Sequence, residues 1–234
     1  MNLARASVAE IRLDGRFAAR LTCPAKLVPA PGQYLLASQR GDLTQALAQP
    51  VFAAGYWSGG FYAAPPLPAG WQPGLELNLR GPLGRGFSLP LQARQVCLAA
   101  LSGNSGRLLA LLDQALAQKA GVVLLADDPP ANLPAALEIL PPAALPEILK
   151  WAAYTALDLP REALPALLNL LDEQRGRTSR RALGGALAQP EVQALLETPL
   201  VCGGRAECGV CAVHLDGTRR VSLACKDGPV FDLL

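Results

Sequence analysis

Four cysteines lie within the last 33 residues of the sequence, and cysteine thiolates bind iron and zinc in proteins. They are separated by five, two and thirteen residues: Cys202, Cys208, Cys211 and Cys225. A plant-type [2Fe–2S] site uses two cysteines separated by two residues, a third just upstream and a fourth farther along the chain. The sequence has this layout with one extra residue in the first gap, so it predicts one [2Fe–2S] cluster bound by these cysteines.

The loop that carries these cysteines is rich in glycine. A loop around a cluster has to direct amide N–H groups at anionic sulfurs, and this often requires a positive φ, which glycine adopts without steric cost. Gly203, Gly204 and Gly209 stand at positions suited to that conformation. We therefore predict that these three glycines form part of the cluster-binding loop.

A structural zinc site is the main alternative, because it also uses a pair of cysteines separated by two residues. Zinc sites more often contain two such pairs, and this sequence has one. The third alternative is that the four cysteines bind no metal and remain free thiols. Cys23 and Cys97 lie on or beside predicted strands and are interpreted as small buried hydrophobic residues. His214, the single histidine, is interpreted as a strand side chain, because a Rieske centre needs two histidines.

Bulk properties exclude several classes of protein. The 234 residues can form one large domain or two modest ones with a small addition. With 21 basic and 19 acidic residues, the chain lacks the basic stripe of a nucleic-acid-binding protein. Arginines in the range 175–181 are interpreted as a solvated helix end. No segment resembles a signal peptide or a membrane span, so we expect a soluble cytoplasmic protein with reduced cysteines.

The N-terminal part of the chain has the pattern of a β-barrel. Short alternating runs separated by turn residues are predicted as strands, at 7–13, 16–22, 33–38, 61–64 and 75–80. The first two are joined at Asp14-Gly15, a strong hairpin signal. Residues 1–94 are therefore predicted to form a small antiparallel barrel of the flavin-domain type.

The pattern changes after this barrel. A strand at 96–101, a helix at 107–119 and a strand at 121–126 predict a βαβ unit with two parallel strands. A short strand is possible at 137–140, and the leucine- and alanine-rich range 143–197 is predicted to be helical. We predict an α+β multidomain chain: the barrel, a central α/β domain with extra helices at 95–197, and a small iron–sulfur domain at 198–234.

Three segments resemble one family, the electron-transfer subunit of heteromeric, NAD-linked dihydroorotate dehydrogenase, which has a ferredoxin-reductase-like scaffold. They are Cys-Lys-Asp-Gly-Pro-Val-Phe at 225–231 beside the cysteine loop, Pro-Gly-Gln-Tyr at 31–34, and Gly-Pro-Leu-Gly-Arg-Gly-Phe at 81–87. The resemblance implies an FAD-binding barrel, a domain that receives NAD(H), and a cluster that relays electrons to a flavoprotein partner bearing FMN. It also implies a role in pyrimidine biosynthesis.

Two positions depart from that family. Its flavin motif reads Arg-Pro-x-Ser, whereas this chain has Gln49, Pro50, Val51 and Phe52. A neutral glutamine cannot replace a bidentate guanidinium on phosphate, and phenylalanine has no hydroxyl. The turn at 102–106 keeps two glycines where the family carries a run. The sequence leaves FAD open, with Pro50, Val51 and Phe52 as its contacts, and predicts that NAD(H) does not bind this chain alone.

The expected function is that of an electron-transfer subunit that exchanges electrons with a flavoprotein partner and has no catalytic residue of its own. One alternative is a self-sufficient FAD- and NAD(P)H-dependent reductase. Another is a zinc-stapled, non-redox interaction module. We expect the partner to contact residues 200–230 and the helices of 143–197, whose apolar content is high for a free surface.

Overall fold

The computed structural model describes residues 2–12, 16–41, 47–181, 191–215 and 221–233. Six antiparallel strands close a barrel in the order β1-β2-β5-β4-β3-β6. They are β1 (Asn2–Ile11), β2 (Ala19–Thr22), β3 (Tyr34–Gln39), β4 (Gln49–Trp57), β5 (Gly60–Ala63) and β6 (Glu76–Leu83). Alternate residues such as Val8, Leu35 and Leu79 point inward and are fully buried.

The predicted barrel is confirmed, with one strand missed. The pairing of β1 with β2 is present, although the Asp14-Gly15 turn lies outside the described residues. The missed strand is β4, whose centre, Ala53-Ala54-Gly55, consists of residues with low strand propensity. It forms because its neighbours β3 and β5 pair with it on both sides.

A mixed six-stranded sheet follows the barrel. Its elements are β7 (Gln95–Ala100), α1 (Leu109–Ala117), β8 (Gly121–Leu125), β9 (Glu138–Leu140), α2 (Leu145–Trp151), β10 (Tyr154–Pro160), α3 (Leu164–Arg181), β11 (Glu191–Glu197) and β14 (Val230–Asp232). The strand order is β14-β11-β10-β7-β8-β9, with every pair parallel except β11 with β14. The predicted βαβ unit, β7-α1-β8, is confirmed.

The helical prediction for 143–197 is wrong at two places. Residues 154–160 and 191–197 form β10 and β11, two adjacent inner strands of the sheet. Strands buried on both faces have a continuous apolar pattern that cannot be told from a buried helix by periodicity. Their burial accounts for the apolar residues of these two strands.

The C-terminal segment returns to the central sheet. A short hairpin, β12 (Ala212–Val213) with β13 (Ser222–Leu223), carries the cysteine region, and β14 then pairs with β11. The antiparallel barrel, the central α/β sheet and the small C-terminal segment confirm the α+β class. None of the helices in the described ranges is long and apolar enough to cross a bilayer.

Candidate functional site

The structure brings the four cysteines together as two pairs. Cys202 and Cys208 lie in the loop after β11 and contact each other through their sulfurs. Cys211 and Cys225 flank the hairpin β12–β13, and their sulfurs also contact each other. The hairpin imposes this second contact, because Ala224 donates its amide to the carbonyl oxygen of Cys211 at 3.0 Å. In the described part of the chain, no group of three or more histidine, cysteine, aspartate or glutamate side chains could hold a metal ion as it stands.

Backbone amides surround Cys202. The N–H groups of Glu207, Arg205 and Cys208 donate hydrogen bonds to its sulfur, and they lower its pKa to about 6 from an ordinary value of 9.0. The loop therefore stabilises a negative charge on this sulfur in a half-exposed position.

Cys225 is in a different environment. It is 3% exposed, and burial together with the neighbouring Cys211 raises its pKa to about 12, although the amide of Ala206 donates a hydrogen bond to its sulfur. Without a cation, this sulfur is held as a neutral thiol. A metal bound here would have to displace its proton.

The conformation of the loop agrees with the role predicted for its glycines. Gly203, Gly204 and Gly209 have φ values of +63°, +74° and +69°. Ala206 also has a positive φ, +64°, which costs about 1–2 kcal/mol for a residue with a Cβ. Because the amide of Ala206 is the one directed at Cys225, the strained residue lies at the point where the loop meets the buried cysteine pair.

Two barrel side chains contact the loop from behind. The hydroxyl of Tyr34, on β3, donates to the carbonyl oxygen of Cys225 at 3.1 Å. Arg80, on β6, donates from Nη2 to the carbonyl oxygen of Gly203. Tyr34 is fully buried, and burial is the main cause of its raised pKa, with smaller contributions from Cys225, Cys211 and Cys202.

The three segments that carried the family resemblance meet beside the cysteines. A Cβ on Gly32 would lie 2.6 Å from Val230 and 2.8 Å from Phe87, so the three segments are in close contact there. Gln33 donates to the carbonyl oxygen of Gly84 at 3.1 Å. These segments are distant in sequence, and Tyr34, the last residue of one of them, contacts Cys225 and Gly204 through its hydroxyl.

The three residues of β4 that were predicted to contact flavin do not face a common site. Pro50 is exposed, and Val51 points into the barrel core. Phe52 alone faces the junction between barrel and sheet, where its ring lies 6.0 Å from that of Tyr34 and 5.5 Å from the guanidinium of Arg107.

The carboxyl ends of β7 and β10 are where the strand order of the sheet reverses, a common ligand crevice in open α/β sheets. Arg107 occupies this position. Its guanidinium makes two hydrogen bonds to the fully buried Asp158, at 2.6 and 2.7 Å, and one to Glu197 at 2.8 Å. Burial raises the pKa of Asp158, and Arg107 opposes that rise.

The turn at 102–106 contacts the barrel directly. Asn104 donates to the carbonyl oxygen of Pro65 at 2.7 Å, and a Cβ on Gly106 would lie 2.7 Å from the Pro65 ring. Farther along α1, Asp113 accepts a hydrogen bond from Arg16 at 2.8 Å. The buried apolar residues of the barrel wall, α1 and the sheet form one continuous cluster. The side chains at the junction are therefore in direct contact with one another.

A cleft of about 400 Å³ lies between the barrel and the cysteine loop. Leu3, Leu47 and Val201 supply part of its apolar lining and are exposed, and Arg80 and Cys202 lie at its wall. The cleft therefore opens beside the half-exposed cysteine pair.

The remaining cysteines and the histidine lie elsewhere. Cys23 and Cys97 are buried, and burial raises their pKa values to about 11 and about 12. His214 is exposed just after β12.

No protein-family model and no curated protein matches this chain. Solved structures that share its fold do exist. A structure of the NADH-dependent reduced ferredoxin–NADP oxidoreductase, described for flavin-based electron bifurcation, gives a TM-score of 0.65 at 14% identity, covering 98% of this chain and 88% of that one. The ferredoxin reductase of carbazole 1,9a-dioxygenase gives 0.55 at 16% identity, covering 74% and 65%. The Amycolatopsis cytochrome P450 reductase gives 0.53 at 17% identity, covering 74% and 67%.

These likenesses show a ferredoxin-reductase-like fold, with the barrel and the α/β sheet in the same chain. Identities of 14% to 17% carry no more than that. Membership of the dihydroorotate dehydrogenase subunit family stays a prediction.

Proposed function

We propose that this chain is an electron-transfer protein whose redox centre is a [2Fe–2S] cluster bound by the four C-terminal cysteines. The arrangement of the thiols in two pairs carries this proposal. Each iron of such a cluster takes two protein ligands, so the site needs two pairs at a short separation and not four thiols around one point. Cys202 with Cys208 and Cys211 with Cys225 supply those pairs.

The surroundings of the thiols also fit an anionic cluster. The amides of Arg205, Glu207 and Cys208 are directed at Cys202, and that of Ala206 at Cys225. Such hydrogen bonds to cluster sulfurs contribute to the reduction potential. A bound cluster would supply one-electron oxidation and reduction, while the chain supplies the thiolates, orients them and keeps water from the buried pair.

The two cysteine pairs differ in solvent exposure, and the more exposed pair is the better placed for exchange of electrons with a partner. Cys208 is exposed and Cys202 half-exposed, whereas the other two cysteines are buried. Among the exposed large hydrophobic residues of the described chain, Leu3, Leu47 and Val201 line the cleft beside Cys202, and Val210 and Val221 are close in sequence to the cysteines or the hairpin. The other three are elsewhere in the sequence: Tyr56, Leu91 and Ile139. We propose that a flavoprotein partner docks on this surface, because exposed apolar patches mark interaction sites and electron transfer requires proximity to the centre.

The finer assignment, an electron-transfer subunit of the dihydroorotate dehydrogenase type, is supported by the convergence of the three family segments. Gly32 lies against Val230 and Phe87, and Gly84 lies against Gly228 and Pro229, so residues of all three segments meet at one place. Matches at unrelated places would have no reason to meet there.

The second candidate is a self-sufficient reductase that uses FAD and NAD(P)H, and the comparisons favour it over a relay. The neighbours are named as reductases; one is NADH-dependent, and another structure of the carbazole dioxygenase reductase is described as its FAD apo form. The prediction that NAD(H) does not bind this chain runs against these neighbours. Two observations argue against the second candidate. The barrel and the sheet are in direct contact at the junction. The crevice there also holds two carboxylates, Asp158 and Glu197, for one guanidinium, that of Arg107, and this negative charge disfavours phosphate groups.

Anaerobic purification with iron, acid-labile sulfide, zinc and flavin analysis tests both candidates. We expect two irons and two sulfides per chain with a visible absorption typical of the cluster. One released flavin per chain, with NADH bleaching the spectrum, would establish the reductase in place of the relay. Zinc without sulfide and without flavin would overturn both candidates and favour the interaction module.

A further inference from the structure

We propose that Tyr34 and Arg80, on the barrel wall, are positioning residues for the redox centre, holding the cysteine loop and setting the cluster's potential. The inference rests on the proposed function for its effect on the potential. Its effect on the loop can be measured without any metal.

The first observation is the pair of hydrogen bonds that cross from the barrel to the loop. Tyr34 binds the carbonyl oxygen of Cys225, a metal-ligand residue in the proposal, from 191 positions away in sequence. Arg80 binds the carbonyl oxygen of Gly203, next to Cys202, from 123 positions away. One contact therefore lies on each cysteine pair.

The second observation is the closeness of these side chains to the loop backbone. A Cβ on Gly203 would lie 2.8 Å from Nη2 of Arg80, and a Cβ on Gly204 would lie 2.8 Å from the hydroxyl of Tyr34. Adjacent glycines thus allow both side chains to reach the loop. By contrast, a Cβ on Gly209 would meet nothing within 4 Å.

Strand pairing explains why these two residues reach the same loop. Leu36 of β3 pairs with Arg80 of β6, so Tyr34 and Arg80 stand on adjacent strands of the closed barrel. A wall of paired strands is more rigid than a free loop, since its backbone hydrogen bonds are made on both sides. The loop is therefore held against a fixed surface.

Charge gives Arg80 a second effect. A cluster with four thiolates is anionic and becomes more so on reduction, so a nearby cation favours the reduced state and raises the potential. Arg80 and Cys202 line the same cleft, together with one other cation, Arg205, and one anion, Glu207. Replacement of Arg80 by a neutral residue should therefore lower the potential.

The test compares Tyr34→Phe and Arg80→Gln with matched controls. Tyr56→Phe removes another tyrosine hydroxyl that donates to a backbone carbonyl, that of Pro29 at 2.9 Å. Arg94→Gln removes another arginine that donates to a backbone carbonyl, that of Leu91 at 2.9 Å. Arg80→Lys keeps the charge without the guanidinium.

With the cluster loaded, we expect a lower midpoint potential in Arg80→Gln, largely restored in Arg80→Lys. We expect cluster affinity to fall about 10- to 100-fold in Tyr34→Phe, the usual range for outer-shell partners of a metal site. Unchanged potential and cluster affinity in both variants, with native-like unfolding, would overturn the proposal.

Amide hydrogen exchange on the iron-free protein separates this inference from the proposed function. We expect exchange across residues 203–208 to accelerate in Tyr34→Phe and Arg80→Gln and to stay unchanged in the two controls. Unchanged amide exchange in the loop of both variants would overturn the positioning role, even if the protein never binds iron. If exchange in the loop accelerates but the protein never binds iron, the positioning role stands, and only the cluster assignment and the effect on the potential are contradicted.

Discussion

The cysteine loop and the junction between barrel and sheet are both places where this fold can hold a redox group, and they are built in opposite ways. At the loop, amide donors are directed at sulfur, and Cys202 is stabilised as a thiolate. At the junction, Arg107 donates to Asp158 and Glu197, so the polar groups are paired with each other. The difference teaches how to tell a binding site from a structural contact in this fold. A binding site directs hydrogen-bond donors at atoms that can bind a ligand, whereas a structural junction pairs its donors with acceptors of the same chain.

Backbone conformation follows the same division. The loop holds Ala206 at a positive φ, a strained conformation that is common at functional sites. At the junction, the turn at 102–106 is tied down by Asn104, which bonds Pro65 of the barrel and the amide of Gly106. The loop therefore has a strained backbone beside the candidate cysteine ligands. At the junction, side chains connect the barrel to the sheet.

The largest expected effect is at the loop. Replacing Cys208 with serine should abolish the iron content and the visible absorption, because one iron loses a thiolate ligand. Cys23→Ala is the control, since Cys23 is buried in the barrel core. Metal analysis and the visible spectrum measure the outcome, and full cluster absorption in Cys208→Ser would show that the ligand set is wrong.

The next effect is at the junction. Replacing Arg107 with methionine removes the ion-pair partner of the buried Asp158, which keeps only its side-chain hydrogen bond with Ser102, and should lower the free energy of unfolding by about 3–5 kcal/mol. Urea denaturation measures it, with Arg40→Met, which breaks an exposed ion pair with Glu76, as a control expected to cost less than about 1 kcal/mol. The double variant Arg107→Met/Asp158→Leu should recover most of the loss.

An Arg107→Met variant that stays fully stable and gains affinity for FAD or NADH would reverse the comparison. The ion pair would then cover a nucleotide site, and the junction would belong with the loop as a functional region.

A smaller effect separates the two kinds of glycine in the loop. Gly204→Ala should lower cluster content more than Gly209→Ala. Both positions have a positive φ, but only the Cβ on Gly204 meets a neighbour, the Tyr34 hydroxyl at 2.8 Å. Each substitution costs about 1–2 kcal/mol for the conformation alone. Since Tyr34→Phe weakens cluster binding by itself, the double variant Gly204→Ala/Tyr34→Phe should lose less than the sum of the two single losses. Equal losses at the two glycines would argue against contact with the barrel wall.

The smallest effect is a pH dependence. In the iron-free protein, the pKa of Cys202 is lowered to about 6 by amide hydrogen bonds, so alkylation should stay fast above that pH and slow below it. A lowered folded-state pKa means that the associated stability is complete above the unfolded value of 9.0 and is lost as pH falls through about 6. Cys23, whose pKa burial raises to about 11, is the unreactive internal control. Alkylation of Cys202 that begins only near pH 9 would contradict the amide arrangement.

Sequence reasoning succeeded where the signal is local. The barrel, the βαβ unit and the positive φ of Gly203, Gly204 and Gly209 follow from alternation, turn residues and glycine placement within short windows. It failed at β10 and β11, whose apolar runs have no helical or strand periodicity because both faces of those strands are buried.

The residues that sequence reasoning missed are those whose roles depend on distant contacts. Tyr34 belongs to one of the family segments, and nothing near Arg80, Arg107 or Asp158 in sequence indicates their partners. Arg107 and Asp158 are 51 positions apart and meet only because β10 pairs with β7 at the reversal of strand order.

The sequence by itself determined the candidate ligand set, because the spacing of the cysteines and the glycines between them act within one short segment. Tertiary structure alone decided that the thiols form two pairs, that Tyr34 and Arg80 stand behind them, and that Arg107 occupies the crevice of the sheet. The physical reason is that these contacts depend on closure of the barrel and on strand register. Both are set by packing across more than a hundred residues and not by any local preference.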